Sequence, residues 1–142
     1  MSLTSADRIE RSVHKTNEWL KDIDSEPGIG DREAAWRILR TYLQLIREQL
    51  NLDEAAQLSA QLPLVIRGAL WEGFDPGDDT GKVRDRQPFL ARFAERAQLD
   101  GAGHAERAAE VVTRVLRRHV SEGEVDDILS QLPAEVRGAL HA

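Results

Sequence analysis

Apolar residues recur along this chain at spacings of three and four, and almost nowhere do they alternate with period two. The pattern predicts helices throughout and no strand. Ile9, Val13, Trp19, Leu20 and Ile23 mark the apolar face of a first helix, which Pro27, Gly28 and Gly30 bring to an end. Asp31 is placed to cap a second helix carrying Ala35, Leu39, Tyr42 and Ile46 on one stripe. Trp36 and Leu43 widen that stripe beyond a surface helix's usual face, so this element is expected to be the most buried. Asn51 with Glu54, and Ser121 with Glu124, have the spacing of a capping box and predict the starts of two short helices. Pro63 and Pro133 lack an amide proton and suit a first helical turn, so each predicts a bend into a further short helix. Gly68 and Gly138 fall inside those last helices, where glycine costs about 0.8 to 1 kcal/mol relative to alanine. Close approach of another backbone is the expected compensation.

The pattern also repeats. Gln61-Leu62-Pro63 with Arg67-Gly68-Ala69-Leu70 recurs as Gln131-Leu132-Pro133 with Arg137-Gly138-Ala139-Leu140, an offset of 70 with seven identities in ten positions. The same offset, without a gap, pairs Trp19 with Phe89, Ile23 with Phe93, Leu45 with Val115, Leu50 with Val120 and Leu58 with Ile128. Apolar on apolar over so long a span points to duplication of a whole supersecondary unit. The expected fold is therefore all-α, with two tandem copies of a four-helix unit packed as one pseudo-twofold helical domain. Copy one spans about 5–72 and copy two about 86–142, joined by the Gly-, Pro- and Asp-rich loop 73–85. A helical unit of that size is marginal alone, so the copies are expected to pack on each other within a single domain, 1–142.

Composition narrows the function classes. Among 142 residues 41% are hydrophobic and 31% charged, and no apolar run reaches the length of a membrane span. No apolar stretch follows a basic start, so no secretory signal is read and a cytoplasmic location is expected. The absence of cysteine excludes disulfides, thiolate nucleophiles and most structural zinc sites. A net charge of −6, shared evenly between the halves, argues against non-specific nucleic-acid binding, which needs clustered Lys and Arg.

The residues also carry a resemblance. Gln-Leu-Pro, three residues, Arg-Gly, then the loop Trp71-Glu72-Gly73-Phe74-Asp75-Pro76 resembles the bacterial family known as domain of unknown function 2267, as do Glu18-Trp19-Leu20 and Gly30-Asp31-Arg32. The likeness covers nearly the whole chain and includes a degenerate second copy. The chain departs from the pattern in its longer acidic stretch at Asp78-Asp79 and in ending almost at Leu140. The family has no established activity, so the resemblance implies a helical fold and transfers no catalytic residue.

Candidate chemistry is sparse. His14, His104, His119 and His141 never stand four residues apart as a zinc helix requires, and no metal site is expected. His119 falls near a helix end, where the dipole favours a cation, but its counterpart in the first copy is Gln49. Asp75, Asp78 and Asp79 offer oxygens to a hard cation. Counting from Asp75, however, a calcium loop would place Thr80 where glycine is needed and Arg86 where a bidentate acid is needed, so a solvated turn is favoured. Gly81-Lys82 approaches a phosphate loop, but Val83 replaces the hydroxyl residue and no strand precedes it. Arg107, Arg114, Arg117 and Arg118 make one helix basic without interleaved aromatics, and read as a solvated face. No nucleophile with a supporting base is visible, and no cofactor is expected.

Arg67 and Arg137 stand out because both copies keep them. A guanidinium suits an anion, and it equally ties a short helix to a carboxylate or to the exposed carbonyls of a neighbouring helix end. Glu54 and Glu124 read as capping residues. The expected function is a non-catalytic interaction or regulatory module that holds a protein partner or a second copy through inter-helix grooves or the Trp71–Lys82 loop. Trp71 is expected on the core side of that loop and Phe74 outward, because Gly73 lets the chain turn. The alternative is a small-ligand binder or enzyme whose site lies between the copies and is lined by Arg67, Arg137 and Trp71.

Overall fold

The computed structural model describes residues 4–78 and 81–141. These form eight helices and no strand: α1 (Ser5–Asp24), α2 (Arg32–Gln49), α3 (Leu52–Ala60), α4 (Leu64–Trp71), α5 (Arg86–Ala97), α6 (Ala102–His119), α7 (Glu122–Leu129) and α8 (Ala134–Ala139). None is long and apolar enough to cross a membrane.

Local chemistry fixes most of the boundaries. Thr4 Oγ1 accepts from the Asp7 amide at 3.1 Å, and the Asp7 carboxylate accepts from the Thr4 amide at 3.3 Å, satisfying two orphan donors of α1. The turn to α2 passes through Gly28 and Gly30 at φ +85° and +105°, a region that penalises a side chain. Asp31 caps α2 by accepting from the Ala34 amide at 2.9 Å. The Asn51–Glu54 capping box closes in both directions at 2.9 Å. Its counterpart does not: the Ser121 side chain makes no cap bond, and α7 starts with Glu122 and Glu124 facing its positive end instead. Pro63 and Pro133 stand as the N-caps of α4 and α8, as their missing donors predict.

The core is centred on α2 and α6, which pack on each other and each bury eight residues. The expectation that the second helix is the most buried therefore holds only jointly with α6. Their buried faces differ in side-chain size. Leu39, Tyr42, Leu43 and Ile46 of α2 are large, whereas α6 offers Ala105, Ala108, Ala109 and Val112. α1 docks against α2 and α6, and α5 against α6 and α2. α4 sits on α1, α2 and α3, and α8 on α5 and α6, while α3 meets α7.

Two expectations are corrected. Ile9 and Val13 do not face the core: they are 55% and 46% exposed, Ile9 because the first turns of the 20-residue α1 are left uncovered, and Val13 because it lies beside the stripe of Ser12, Thr16, Trp19 and Ile23 that the other helices bury. Gly68 and Gly138 are not packing glycines. Both are exposed, nothing lies within 4 Å of a Cβ built on Gly68, and only an Arg86 nitrogen reaches 4.0 Å from that of Gly138. The closely packed glycine is Gly81, whose Cβ would meet the Glu48 side chain at 2.7–2.8 Å.

Candidate interaction site

The chain leaving α4 is tied down at each step. Gln44 Nε2 donates to the Ala69 carbonyl at 3.0 Å, and Arg47 Nη1 donates to the carbonyls of Leu70 at 2.7 Å and Glu72 at 3.0 Å. Two side chains of α2 thereby satisfy the C-terminal carbonyls of α4. Partial burial pulls the Arg47 pKa below its ordinary value, and Glu48 acts in the opposite sense. Further on, Gln49 holds the returning limb of the loop with both polar atoms of its side chain. Its Nε2 donates to the Gly81 carbonyl at 2.8 Å and its Oε1 accepts from the Val83 amide at 2.9 Å. Arg92 Nη1 adds a bond to the same Gly81 carbonyl at 2.7 Å. Asp79 and Thr80 lie outside the described residues.

Between these ties, Phe74 stands 40% exposed but fixed. Trp71 meets its ring edge-on with centroids 5.1 Å apart, and the Arg47 guanidinium lies over it at 5.7 Å. Trp71 is half-buried against the core and donates from Nε1 to Ser59 Oγ at 2.8 Å. Phe74 borders a cleft of about 320 Å³ between the end of α2, the start of α3 and the loop. Leu50, Leu52 and Phe74 give it an apolar side, and Arg47, Asp75 and Lys82 a charged one. Leu52 is itself 59% exposed, so two large apolar side chains flank one opening. Asp75 is exposed and accepts from the Gly77 amide at 3.0 Å.

The two arginines differ. Arg67 donates from Nε to the Ser59 carbonyl at 3.1 Å and from Nη2 to the Leu62 carbonyl at 3.1 Å, closing the C-terminal end of α3. Arg137, half-buried on α8, has no side-chain hydrogen bond or ion pair among the described residues. Neither arginine lines the cleft, and their helices dock on different parts of the core. Trp71 joins Phe74 rather than the arginines.

The basic residues of α6 form an exposed face, Arg114 and Arg118 keeping 46% and 52% of their side chains in solvent, but one that is laced with ion pairs. Arg107 and Arg114 approach Glu26 at 3.5 and 3.6 Å, Arg118 approaches Asp22 at 3.6 Å, and Arg117 pairs with Asp126 at 2.7 Å. His119 stacks on Trp19 with centroids 4.9 Å apart and bonds Asp22 at 2.7 Å. The stripe pairs across helices, with Asp22 and Glu26 at and beyond the end of α1 and with Asp126 of α7. Sequence reasoning missed Arg47, Gln49 and Leu52. Arg47 carried only the weak signal of a cation in a last helical turn, and Gln49 stood out only as the residue paired with His119.

The described architecture is that of an all-helical protein whose buried polar groups are satisfied internally. Residues 16–139 match the family model described as an uncharacterized conserved protein, DUF2267, and the chain belongs to that family. No curated protein matches the sequence.

Proposed function

We propose that the chain is a non-catalytic, cytoplasmic protein-interaction or regulatory module, and that its partner seats in the cleft beside Phe74. The observation that carries this reading is the fixed, solvent-facing aromatic. A large apolar side chain is ordinarily buried; here Trp71 and Arg47 hold one at the mouth of a cleft, the arrangement of an interface anchor. Trp71 and Phe74 are the residues of this surface, with Trp71 as the support. Arg67 serves α3, and Arg137 is a second cationic point available to a partner.

In this reading the module is a duplication: copy one about 5–72, the loop 73–85 and copy two about 86–142 in one pseudo-twofold domain. Support comes from burial, which is the same at every position of 51–70 and 121–140, including Leu62 and Leu132. The docking of α1 on α6 and of α5 on α2 adds to it. So does Arg37, which donates to the Ala97 carbonyl at the end of α5, where Arg107 reaches Glu26 beyond the end of α1.

A photo-reactive phenylalanine in place of Phe74, introduced in the native host, tests the reading. Irradiation is expected to join the chain to one protein species. Labelling indistinguishable from that of the same residue placed at Glu135, which is exposed and does not line the cleft, contradicts it. A small ligand filling the cleft would instead raise the melting temperature without any cross-linked protein.

A further inference from the structure

The wall of the Phe74 cleft continues into an acidic layer. α3 lines the cleft through Leu52 and Ala55, and α7 packs against α3. These two short helices carry Asp53 and Glu54, and Glu122, Glu124, Asp126 and Asp127, and neither has a Lys, Arg or His. The lining of the cleft has the same bias. Arg47 is engaged by the carbonyls that end α4 and Glu48 is paired with Arg96, which leaves Lys82 as the exposed cation beside exposed Asp75 and Asp78. The apolar wall belongs to copy one alone, because the position 70 residues after Leu52 is Glu122.

Part of this charge serves the helices themselves. Glu54 closes the capping box on the Asn51 amide, and Asp53, Glu122 and Glu124 lie in first turns, where the helix dipole favours an anion. Asp126 and Asp127 do not serve α7 in this way. They stand in its last turn, where the dipole disfavours a carboxylate and a cation is the usual residue. Arg117 pairs with Asp126 at 2.7 Å, but Asp127 is exposed and has no side-chain hydrogen bond or ion pair among the described residues. The same is true of Asp53 and Glu122.

We infer, on the reading that the cleft is the interaction site, that its partner is a basic segment of a protein. An apolar side chain of that segment enters between Leu52 and Phe74, and Lys or Arg residues flanking it meet Asp53 and Asp75 and, farther along, the carboxylates of α7. The two kinds of contact divide the work. The apolar anchor supplies most of the affinity, whereas exposed charges contribute little each but steer encounter and reject partners of like sign. An acidic segment seated on Phe74 would place like charges across the whole contact, and a neutral one would leave the acidic layer unanswered.

A random dodecapeptide library displayed on phage, selected on the full chain and in parallel on Phe74→Ser, tests this. Sequences enriched on the native chain and lost on Phe74→Ser are expected to carry net positive charge, with Lys or Arg within a few residues of an aliphatic or aromatic side chain. A synthetic peptide of that kind, followed by fluorescence anisotropy, should bind the double variant Asp53→Asn, Asp127→Asn more weakly by about two- to fivefold for each charge removed, the range of an exposed ion pair. The difference should shrink at high salt. Phe74-dependent peptides of neutral or negative charge overturn the basic partner and leave the cleft reading standing, as does a basic peptide whose affinity ignores both salt and the double variant. Enrichment equal on the native and Phe74→Ser chains, or absent from both, overturns the cleft reading and the basic partner with it.

Discussion

The guanidinium of Arg47 lies over the ring of Phe74, 5.7 Å from its centroid, while its Nη1 bonds the last carbonyls of α4. One side chain therefore ends a helix and positions the exposed aromatic beyond it. Arg47→Ala is expected to cost about 1 to 3 kcal/mol, because hydrogen bonds to a charged group are lost from half-buried carbonyls. Arg47→Met, which keeps the apolar stem, should recover little of that. Urea unfolding measures both, and a loss within error for Arg47→Ala would mean that water satisfies those carbonyls equally well.

Two glycines are expected to respond in opposite directions. Gly68 is helical, exposed and free of neighbours within 4 Å, so Gly68→Ala should stabilise by about 0.5 to 1 kcal/mol. Gly81→Ala should destabilise by about 1 to 3 kcal/mol, as overpacking does. Its Cβ would meet Glu48 at 2.7–2.8 Å, and Glu48 cannot swing away without leaving Arg96, which it bonds at 2.8 Å. Thermal unfolding of the two variants side by side decides. A stabilising Gly81→Ala would contradict the account of the loop.

Tyr42 joins α2 to α6: its hydroxyl lies 2.8 Å from Thr113 Oγ1, which in turn reaches the carbonyls of Ala109 and Leu140. Burial pushes the Tyr42 pKa well above the usual 10.0, and the Thr113 bond only partly opposes it. Below pH 10.0 the phenol is neutral in both folded and unfolded chains and stability is unaffected. Above it the unfolded chain ionises and the folded one does not, so stability should fall as pH rises. Tyr42 is the single tyrosine, and phenolate absorbance reports it alone. Urea midpoints on either side of pH 10.0 should decline more steeply for the native chain than for Tyr42→Phe. Equal slopes would contradict a phenol held neutral.

Much of this architecture was legible in the sequence because it depends on local chemistry. Asp31, Asn51, Pro63 and Pro133 act on their own neighbours, and three- and four-residue spacing reports burial wherever another helix covers the face. The failures share one cause: they depend on what lies opposite. Nothing local distinguishes Ile9 from Trp19, yet only Trp19 has α6 and its His119 across from it. Gly68 suggested close packing from within its own helix, whereas the tight glycine, Gly81, sits in a loop that α2 happens to approach. The ion pairs of the exposed Arg stripe of α6 were not legible because Glu26 and Asp22 stand more than 80 residues away. At the candidate site, Trp71 and Phe74 were visible as aromatics in a loop. Arg47, which fixes Phe74, was not.

The most direct test of the proposed interaction face is the affinity of the Phe74 cross-linked partner for Phe74→Ser and Trp71→Ala, measured by calorimetry alongside their melting curves. Trp71 is packed on the core and bonded to Ser59, so its truncation should cost about 3 kcal/mol of stability, the lower end for a buried aromatic. Phe74→Ser should leave the melting temperature nearly unchanged and remove about 2 kcal/mol or more of binding, as loss of an interface anchor does. If Phe74→Ser instead lowers stability as much as Trp71→Ala and leaves the affinity intact, the loop is a clasp between α4 and α2, and the cleft is not where the partner binds.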